Sequence, residues 1–164
     1  MNQILTWLSG GDLRSDGTAN EVADFILENP AAFEDLYAGL SEKDDIVRGR
    51  TADAIEKISR SRPEFLLDHL PEMTGLAQVE QVPLVKIHLA MTFGHLAVYP
   101  ELVEQLAPAL FSLLEDDSVF TRSWAIASLC IIARKYPETC QNILEHIGPL
   151  QGDGSIAIRS RVKK

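Results

Sequence analysis

Residues 44–58 read DDIVRGRTADAIEKI, and this stretch carries the pattern that decides the fold. Val47, Ile55 and Ile58 recur at helical spacing, and the uncharged residues between them are mostly small. This arrangement predicts an amphipathic α-helix with one apolar stripe turned inward. The acid pair Asp44-Asp45 stands where that helix begins, and carboxylates there accept hydrogen bonds from unpaired N–H groups and favour the helix dipole. We therefore interpret the pair as a helix cap rather than as catalytic carboxylates.

The same pattern recurs along the chain. A β-branched residue followed by a basic one occurs at spacings of 38, 36 and 37: Val47-Arg48, Val85-Lys86, Thr121-Arg122 and Ile158-Arg159. Prolines recur independently at spacings of 33, 37 and 37: Pro30, Pro63, Pro100 and Pro137. Each proline opens a further apolar segment, and proline is favoured at the first position of a helix. Each repeat is therefore predicted to contain two helices joined by a short polar turn.

The predicted fold is all-α, a stack of antiparallel helix pairs, and no segment shows the alternation of a β-strand. The first helices of the repeats are expected at 31–42, 64–77, 101–114 and 138–149. The second helices are expected at 46–60, 83–97 and 119–134, after leading helices at 2–8 and 19–29 and a loop at 9–18. One repeat domain is predicted over 1–164, with a degenerate leading unit (1–29), complete units (30–62, 63–99, 100–136) and an incomplete final unit (137–164).

The pattern of residues 44–58 resembles the HEAT repeat family, which has an Asp in the turn and a Val-Arg pair near the start of the second helix. The family's proline inside the first helix is matched by Pro71, Pro108 and Pro149. The sequence departs from the family where Glu80 and Pro83 replace the turn Asp, and where Thr121 replaces Val. The resemblance implies an α-α superhelix of the HEAT/armadillo kind, a right-handed solenoid whose second helices line a concave face.

The charge distribution excludes several classes of protein. The chain has 15 Lys and Arg against 24 Asp and Glu, and its net charge of −9 is the sum of −13 on residues 1–153 and +4 on residues 154–164. Neutralising phosphates requires an excess of basic residues, so we expect no nucleic-acid partner. The longest apolar run, residues 124–133, is about half the length of a membrane span, so we expect no membrane partner. Two cysteines without metal-ligand spacing and no signal-peptide pattern predict a cytoplasmic protein.

No motif for catalysis or cofactor binding occurs in the sequence. It contains no Gly-rich phosphate loop, no GxSxG and no His-Glu-x-x-His. His88 and His95 lie on one helix face but about 10.5 Å apart along the axis, too far to share one metal ion. We therefore predict no enzyme activity, no cofactor and no metal. The alternative is a component of a HEAT-like enzyme, such as a lyase-type modification factor, and a further alternative is a HEAT-like DNA-binding protein.

The second helices carry the candidate partner-binding residues on the stripe opposite their core positions. These residues are Arg50, Lys57, Arg60, His88, Met91, His95, Trp124, Ile131 and Arg134. Along the chain the stripe changes from charged to His/Met and then to Trp and aliphatic, and an exposed patch of that kind marks a binding partner. In the alternative interpretation, Trp124 and Ile131 are buried against the neighbouring repeat. The predicted function is a non-enzymatic scaffold or adaptor for protein–protein interaction.

Charge and repeat pattern support three further expectations. Acidic residues on the first helices and turns favour a partner with a basic segment. Terminal repeats normally need polar caps, so the incomplete final unit predicts a C-terminal seam at which the chain self-associates or docks a partner. The basic residues of the repeat are predicted to pair with turn acids of their own or adjacent repeats: Arg48, Lys86, Arg122 and Arg159.

Overall fold

The computed structural model describes residues 2–164, and every regular element in that range is helical. The α-helices are α1 (Gln3–Leu8), α2 (Ala19–Glu28), α3 (Phe33–Tyr37), α4 (Asp45–Ser59), α5 (Leu70–Val79), α6 (Pro83–Leu96), α7 (Val103–Leu113), α8 (Val119–Lys135), α9 (Cys140–Ile147) and α10 (Ile156–Val162). None of these helices is long and apolar enough to cross a membrane. The all-α prediction is confirmed, and helices α4, α6 and α8 lie within one residue of the bounds expected for the second helices.

The chain forms two compact units, Met1–Asp68 and His69–Lys164, which we call the N-terminal and C-terminal units. In the N-terminal unit, helix α4 packs against α1 and α2. The predicted apolar stripe of α4 is buried there, since Val47, Ile55 and Ile58 are at most 1% exposed. The periodicity of residues 44–58 therefore identifies the inward face of this helix correctly.

The repeat prolines begin 3₁₀ turns rather than α-helices. These turns are Pro30–Ala32, Pro63–His69, Pro100–Leu102 and Pro137–Thr139. The carbonyl oxygen of Pro100, for example, accepts a hydrogen bond from the Val103 N–H, three residues along the chain. Such tight turns are common at helix ends. The first helices are consequently shorter than predicted, and α3 keeps only five α-helical residues of the expected 31–42.

The prolines expected inside first helices occupy three different positions. Pro71 lies in the first turn of α5, Pro108 lies inside α7, and Pro149 lies in the 3₁₀ segment Gly148–Gly152 that follows α9. The expectation is therefore correct for Pro108. It fails for Pro149, where the chain has already tightened from α to 3₁₀ geometry.

Two of the second helices, α4 and α8, begin with a side-chain cap. Asp44 accepts a hydrogen bond from the Ile46 N–H at 2.8 Å, as predicted. Helix α8 is instead capped by Ser118, whose hydroxyl accepts from the Thr121 N–H at 3.3 Å. Asp116 lies two residues earlier and accepts from the Ser118 N–H at 2.9 Å. The cap of α8 is therefore a serine, and the acid Asp116 orders the turn before it.

In the C-terminal unit, helices α6 and α8 approach closely through small residues. A Cβ on Gly94 would lie 2.5 Å from the Ser128 hydroxyl oxygen. That hydroxyl is held in place because it donates to the carbonyl oxygen of Ala90 at 2.7 Å. Phe93 and Leu129 are fully buried on the same two helices. This packing sets the spacing of the second helices, and with it the spacing of the side chains on their outer face.

Candidate partner-binding face

Arg50, a candidate partner-binding residue in the N-terminal unit, is buried in the structure. It is 5% exposed, and its guanidinium donates to the carbonyl oxygens of Leu8 (2.9 Å), Gly10 (2.6 Å), Asp12 (3.2 Å) and Ser15 (3.3 Å). The expectation of a solvent-facing Arg50 is therefore corrected, because the side chain holds the loop between α1 and α2. Sequence spacing could not reveal this role, since the acceptors are backbone atoms 35 to 42 residues away.

The tight wrapping of that loop around Arg50 explains a glycine. Gly17 has φ of +56°, and a Cβ there would lie 2.5 Å from Arg50 Cζ. Only glycine combines the left-handed backbone with so close an approach at low cost. The Gly/Asp-rich stretch at 9–18 is thus a structural loop built around a cation of the same chain.

Lys57 and Arg60 each pair with an acid one turn earlier on α4. The Lys57 ammonium lies 2.7 Å from a carboxylate oxygen of Asp53. Arg60 donates through Nε and Nη2 to the two carboxylate oxygens of Glu56 at 2.9 and 2.7 Å, and this hydrogen bonding raises the pKa of Arg60. The charges of Lys57 and Arg60 are therefore largely compensated by acids of α4 itself.

Helix α6 carries the His/Met part of the predicted stripe. His88, Met91 and His95 are all partly exposed. Leu89 and Phe93 on the same helix are at most 1% exposed. The structure thus separates a buried side of α6 from the side that bears the three candidates.

Helix α8 presents a row of accessible side chains that is apolar and aromatic as far as Ile131 and ends in Arg134. The row lies at positions i, i+4, i+7, i+11 and i+14, and we call it the α8 stripe: Phe120, Trp124, Ala127, Ile131 and Arg134. Phe120 is 70% exposed and Ile131 is 44% exposed, and Trp124 is partly exposed. The alternative in which Ile131 is buried against a neighbouring repeat is therefore excluded.

Sequence reasoning missed three side chains of this region. Phe120 stands four residues before Trp124, so the helical spacing alone could have included it. Arg161 and Lys164 lie 37 residues beyond Trp124 and Ala127, which is one repeat period. The predicted binding residues end at Arg134 because the sequence pattern indicates an incomplete last repeat, without a second helix that could extend the row.

Arg161, on α10, is positioned by two residues of α8. Its Nε donates to the Ser123 hydroxyl at 3.1 Å, and its Cζ lies 5.6 Å from the centre of the Trp124 ring. A guanidinium over an aromatic face is attracted by the ring quadrupole. The guanidinium is thereby oriented. Within residues 2–164 its hydrogen bond is made through Nε, which leaves the Nη groups for another acceptor.

A cavity of about 250 Å³ opens beside Arg161 at the end of the α8 stripe. Its lining combines apolar and basic side chains, namely Ala127, Cys130, Ile131, Arg134, Arg161 and Lys164. Cys130 is a free thiol, and burial raises its pKa above the ordinary 9.0, so it is neutral at physiological pH. The cavity therefore has an apolar wall and a cationic rim.

The basic residues of the repeat pair with turn acids, as predicted. Lys86 forms an ion pair with Asp116, and Arg122 with Asp153. Backbone hydrogen bonding from Ser155, followed by the Arg122 guanidinium, lowers the pKa of Asp153. Each pair joins a second helix to the turn of the next repeat, so it clamps successive repeats together.

The first and last of these basic residues, Arg48 and Arg159, also make contacts close to them in sequence. Arg48 reaches Asp45 on its own helix at 3.0 Å. Arg159 donates to the backbone carbonyl of Asp153 at 2.6 Å and not to a carboxylate. The prediction of an acid partner is thus confirmed for Arg48, Lys86 and Arg122. It is corrected for Arg159, which binds the main chain of Asp153 while the Asp153 carboxylate pairs with Arg122.

These features define an all-α protein of the α-α superhelix class, an α-solenoid of stacked antiparallel helix pairs. It is similar to a crystal structure of computationally designed armadillo repeat proteins for modular peptide recognition, with a TM-score of 0.68. That likeness covers 98% of this chain and 78% of the other at 19% sequence identity, so it concerns the fold. No protein-family model matches the sequence, and no curated protein matches it.

Proposed function

We propose that this protein is a non-enzymatic interaction module that binds an extended segment of another protein along the α8 stripe. The observation that carries the proposal is the contrast between the two sides of α8. Ile126, Leu129 and Ile132 are fully buried, while the α8 stripe keeps an aromatic ring and an isoleucine side chain in solvent. An exposed apolar and aromatic row of this kind is the usual composition of an interface centre.

The fold supports the same proposal. The solenoid neighbour was designed for modular peptide recognition, and the repeats of this chain resemble the HEAT family in residues 44–58. Repeat proteins of this kind present extended binding surfaces, which suit a ligand in extended conformation. A scaffold or adaptor role follows from such a surface.

A displayed library of random 12-residue peptides tests this proposal. The full chain should enrich binders, and Trp124→Ala or Ile131→Ala should reduce enrichment about tenfold, as expected for the loss of a central interface side chain. Val79→Ala is the matched control, because Val79 is 69% exposed at the end of α5 and off the stripe. The proposal fails if the wild-type chain enriches no peptide, or if all variants enrich the same peptides equally.

A further inference from the structure

The cations around the cavity at the end of the α8 stripe are not compensated by acidic side chains. Within residues 2–164, Arg134 has a hydrogen bond to the main-chain oxygen of Lys164 at 3.4 Å, and Arg161 has the Ser123 hydroxyl and the Trp124 ring. No Asp or Glu side chain lines this cavity among the described residues. Three basic residues, Arg134, Arg161 and Lys164, therefore line one cavity without an acidic side chain, in a chain where acids outnumber bases by 24 to 15.

Two basic residues of the repeat, Lys86 and Arg122, show the contrast. Lys86 and Arg122 are 13% and 16% exposed and each has a carboxylate partner. Arg134 and Arg161 also come from successive second helices, but they face a cavity in place of an acidic side chain. An anionic group that enters this cavity would supply the kind of partner that Lys86 and Arg122 have within the chain.

We infer that the cavity is a carboxylate-binding site, which takes an Asp or Glu side chain of the segment bound along the α8 stripe. This inference rests on the proposed function and names the chemistry of the partner. Arg161 is already oriented by Ser123 and Trp124, and a guanidinium held in this way suits the two oxygens of a carboxylate. Ala127 and Ile131 form the adjoining apolar wall, so an apolar residue stands next to the acid.

The dimensions of the α8 stripe set the length of that segment. Phe120 and Arg134 are separated by fourteen residues, about 21 Å along a helix. An extended chain covers this distance with about six residues. The ligand is therefore a short segment with an aromatic or aliphatic residue at one end and Asp or Glu at the other. A nucleic-acid backbone is disfavoured, because its repeated charges would meet a protein of net charge −9.

The selected peptides from the same library provide the test. Wild-type protein should enrich Asp and Glu next to apolar residues, and replacing the acid by its amide should weaken binding about tenfold. Arg134→Gln/Arg161→Gln should abolish that preference. Lys135→Gln/Lys163→Gln removes the same charge from adjacent positions on the same segments and should retain the preference.

Cys130 reports whether the peptide occupies the cavity. In a Cys140→Ser background and in alkaline buffer, which supplies the reactive thiolate, a saturating acidic peptide should slow alkylation of Cys130 by iodoacetamide. The Arg134→Gln/Arg161→Gln variant should show no such protection. Thermal unfolding of each variant separates loss of binding from loss of fold.

The outcomes distinguish the two proposals. Peptides that are enriched without acids, or equal binding of acid and amide forms, overturn the carboxylate site and leave the proposed function standing. Binding of single-stranded DNA that depends on Arg134 and Arg161 and that the acidic peptide does not compete overturns the assignment to a peptide. Absence of any enriched peptide overturns both.

Discussion

At the residue scale, one buried arginine decides the conformation of a ten-residue loop. Arg50 offers its donors to four backbone carbonyls that would otherwise need water or secondary structure. A charged donor makes stronger hydrogen bonds than a neutral one. Arg50 therefore contributes four of the contacts that hold the loop, beside the bond from the Thr18 hydroxyl to the Trp7 carbonyl oxygen at 2.6 Å.

We predict that Arg50→Met destabilises the full chain by about 2–4 kcal/mol, since it leaves several carbonyls without their charged donor. Urea unfolding measures the effect, and amide exchange in residues 9–18 should accelerate most. Arg14→Met is the control, because the Arg14 side chain is 91% exposed. Equal stability of the two variants would contradict the role assigned to Arg50.

At the element scale, the approach of α6 to α8 depends on a glycine. Alanine is a better helix former than glycine by about 1 kcal/mol. At Gly94, however, the added Cβ would lie 2.5 Å from the Ser128 hydroxyl oxygen and 3.1 Å from its Cβ. The steric cost at this helix contact should exceed the gain in helix propensity.

We therefore predict that Gly94→Ala lowers the free energy of unfolding by about 1–3 kcal/mol, the usual cost of overpacking. Gly75→Ala in α5 is the matched control, since a Cβ at this position would meet no heavy atom within 4 Å, and it should stabilise by about 0.5–1 kcal/mol. Ser128→Ala should recover part of the loss in the Gly94→Ala background. Stabilisation by Gly94→Ala alone would show that the helices separate freely.

The turn before α10 makes stability depend on pH. The pKa of Asp153 is lowered from its ordinary 3.8 by the Ser155 N–H and by Arg122. An acid whose pKa is lower in the folded chain stabilises the fold above its unfolded pKa, and this contribution is lost as the pH falls through the folded pKa. The window for Asp153 therefore lies below about pH 4.

Asp153→Asn should accordingly be less stable than wild type at pH 7, because the amide can still accept from Ser155 but loses the ion pair with Arg122. Denaturant unfolding at pH 7, 4 and 3 should show the difference narrowing at acid pH. A difference that stays constant over this range would mean that the carboxylate charge contributes nothing.

At the scale of the whole molecule, net charge and local charge have opposite signs at the proposed site. The chain carries −9 overall, but residues 154–164 carry +4 and contribute Arg161 and Lys164 to the cavity. Long-range repulsion should discourage polyanions, while a short acidic peptide can use the local cations within a Debye length of about 8–10 Å.

We predict that a labelled DNA duplex does not bind measurably at about 150 mM salt, where counterion release favours only strongly basic surfaces. Fluorescence anisotropy over a range of salt concentrations measures this. Binding that weakens steeply with salt would contradict the prediction and favour the DNA-binding alternative.

The sequence by itself determined the all-α architecture, the bounds of the second helices and the inward side of α4. These properties depend on periodicity, which is local: Val47, Ile55 and Ile58 share a face wherever the helix packs. It also predicted ion pairs for Lys86 and Arg122, because a fixed repeat brings equivalent residues to equivalent places.

Only the tertiary structure decided which polar side chains are used internally and which face solvent. Arg50 and Arg134 are both basic residues on predicted binding stripes, yet one lies buried among backbone carbonyls and the other lines a cavity. The difference arises from what packs opposite each helix, a loop in one case and an open space in the other. Hydrogen-bond partners that are remote in sequence leave no periodic pattern, so only the tertiary structure locates the proposed site.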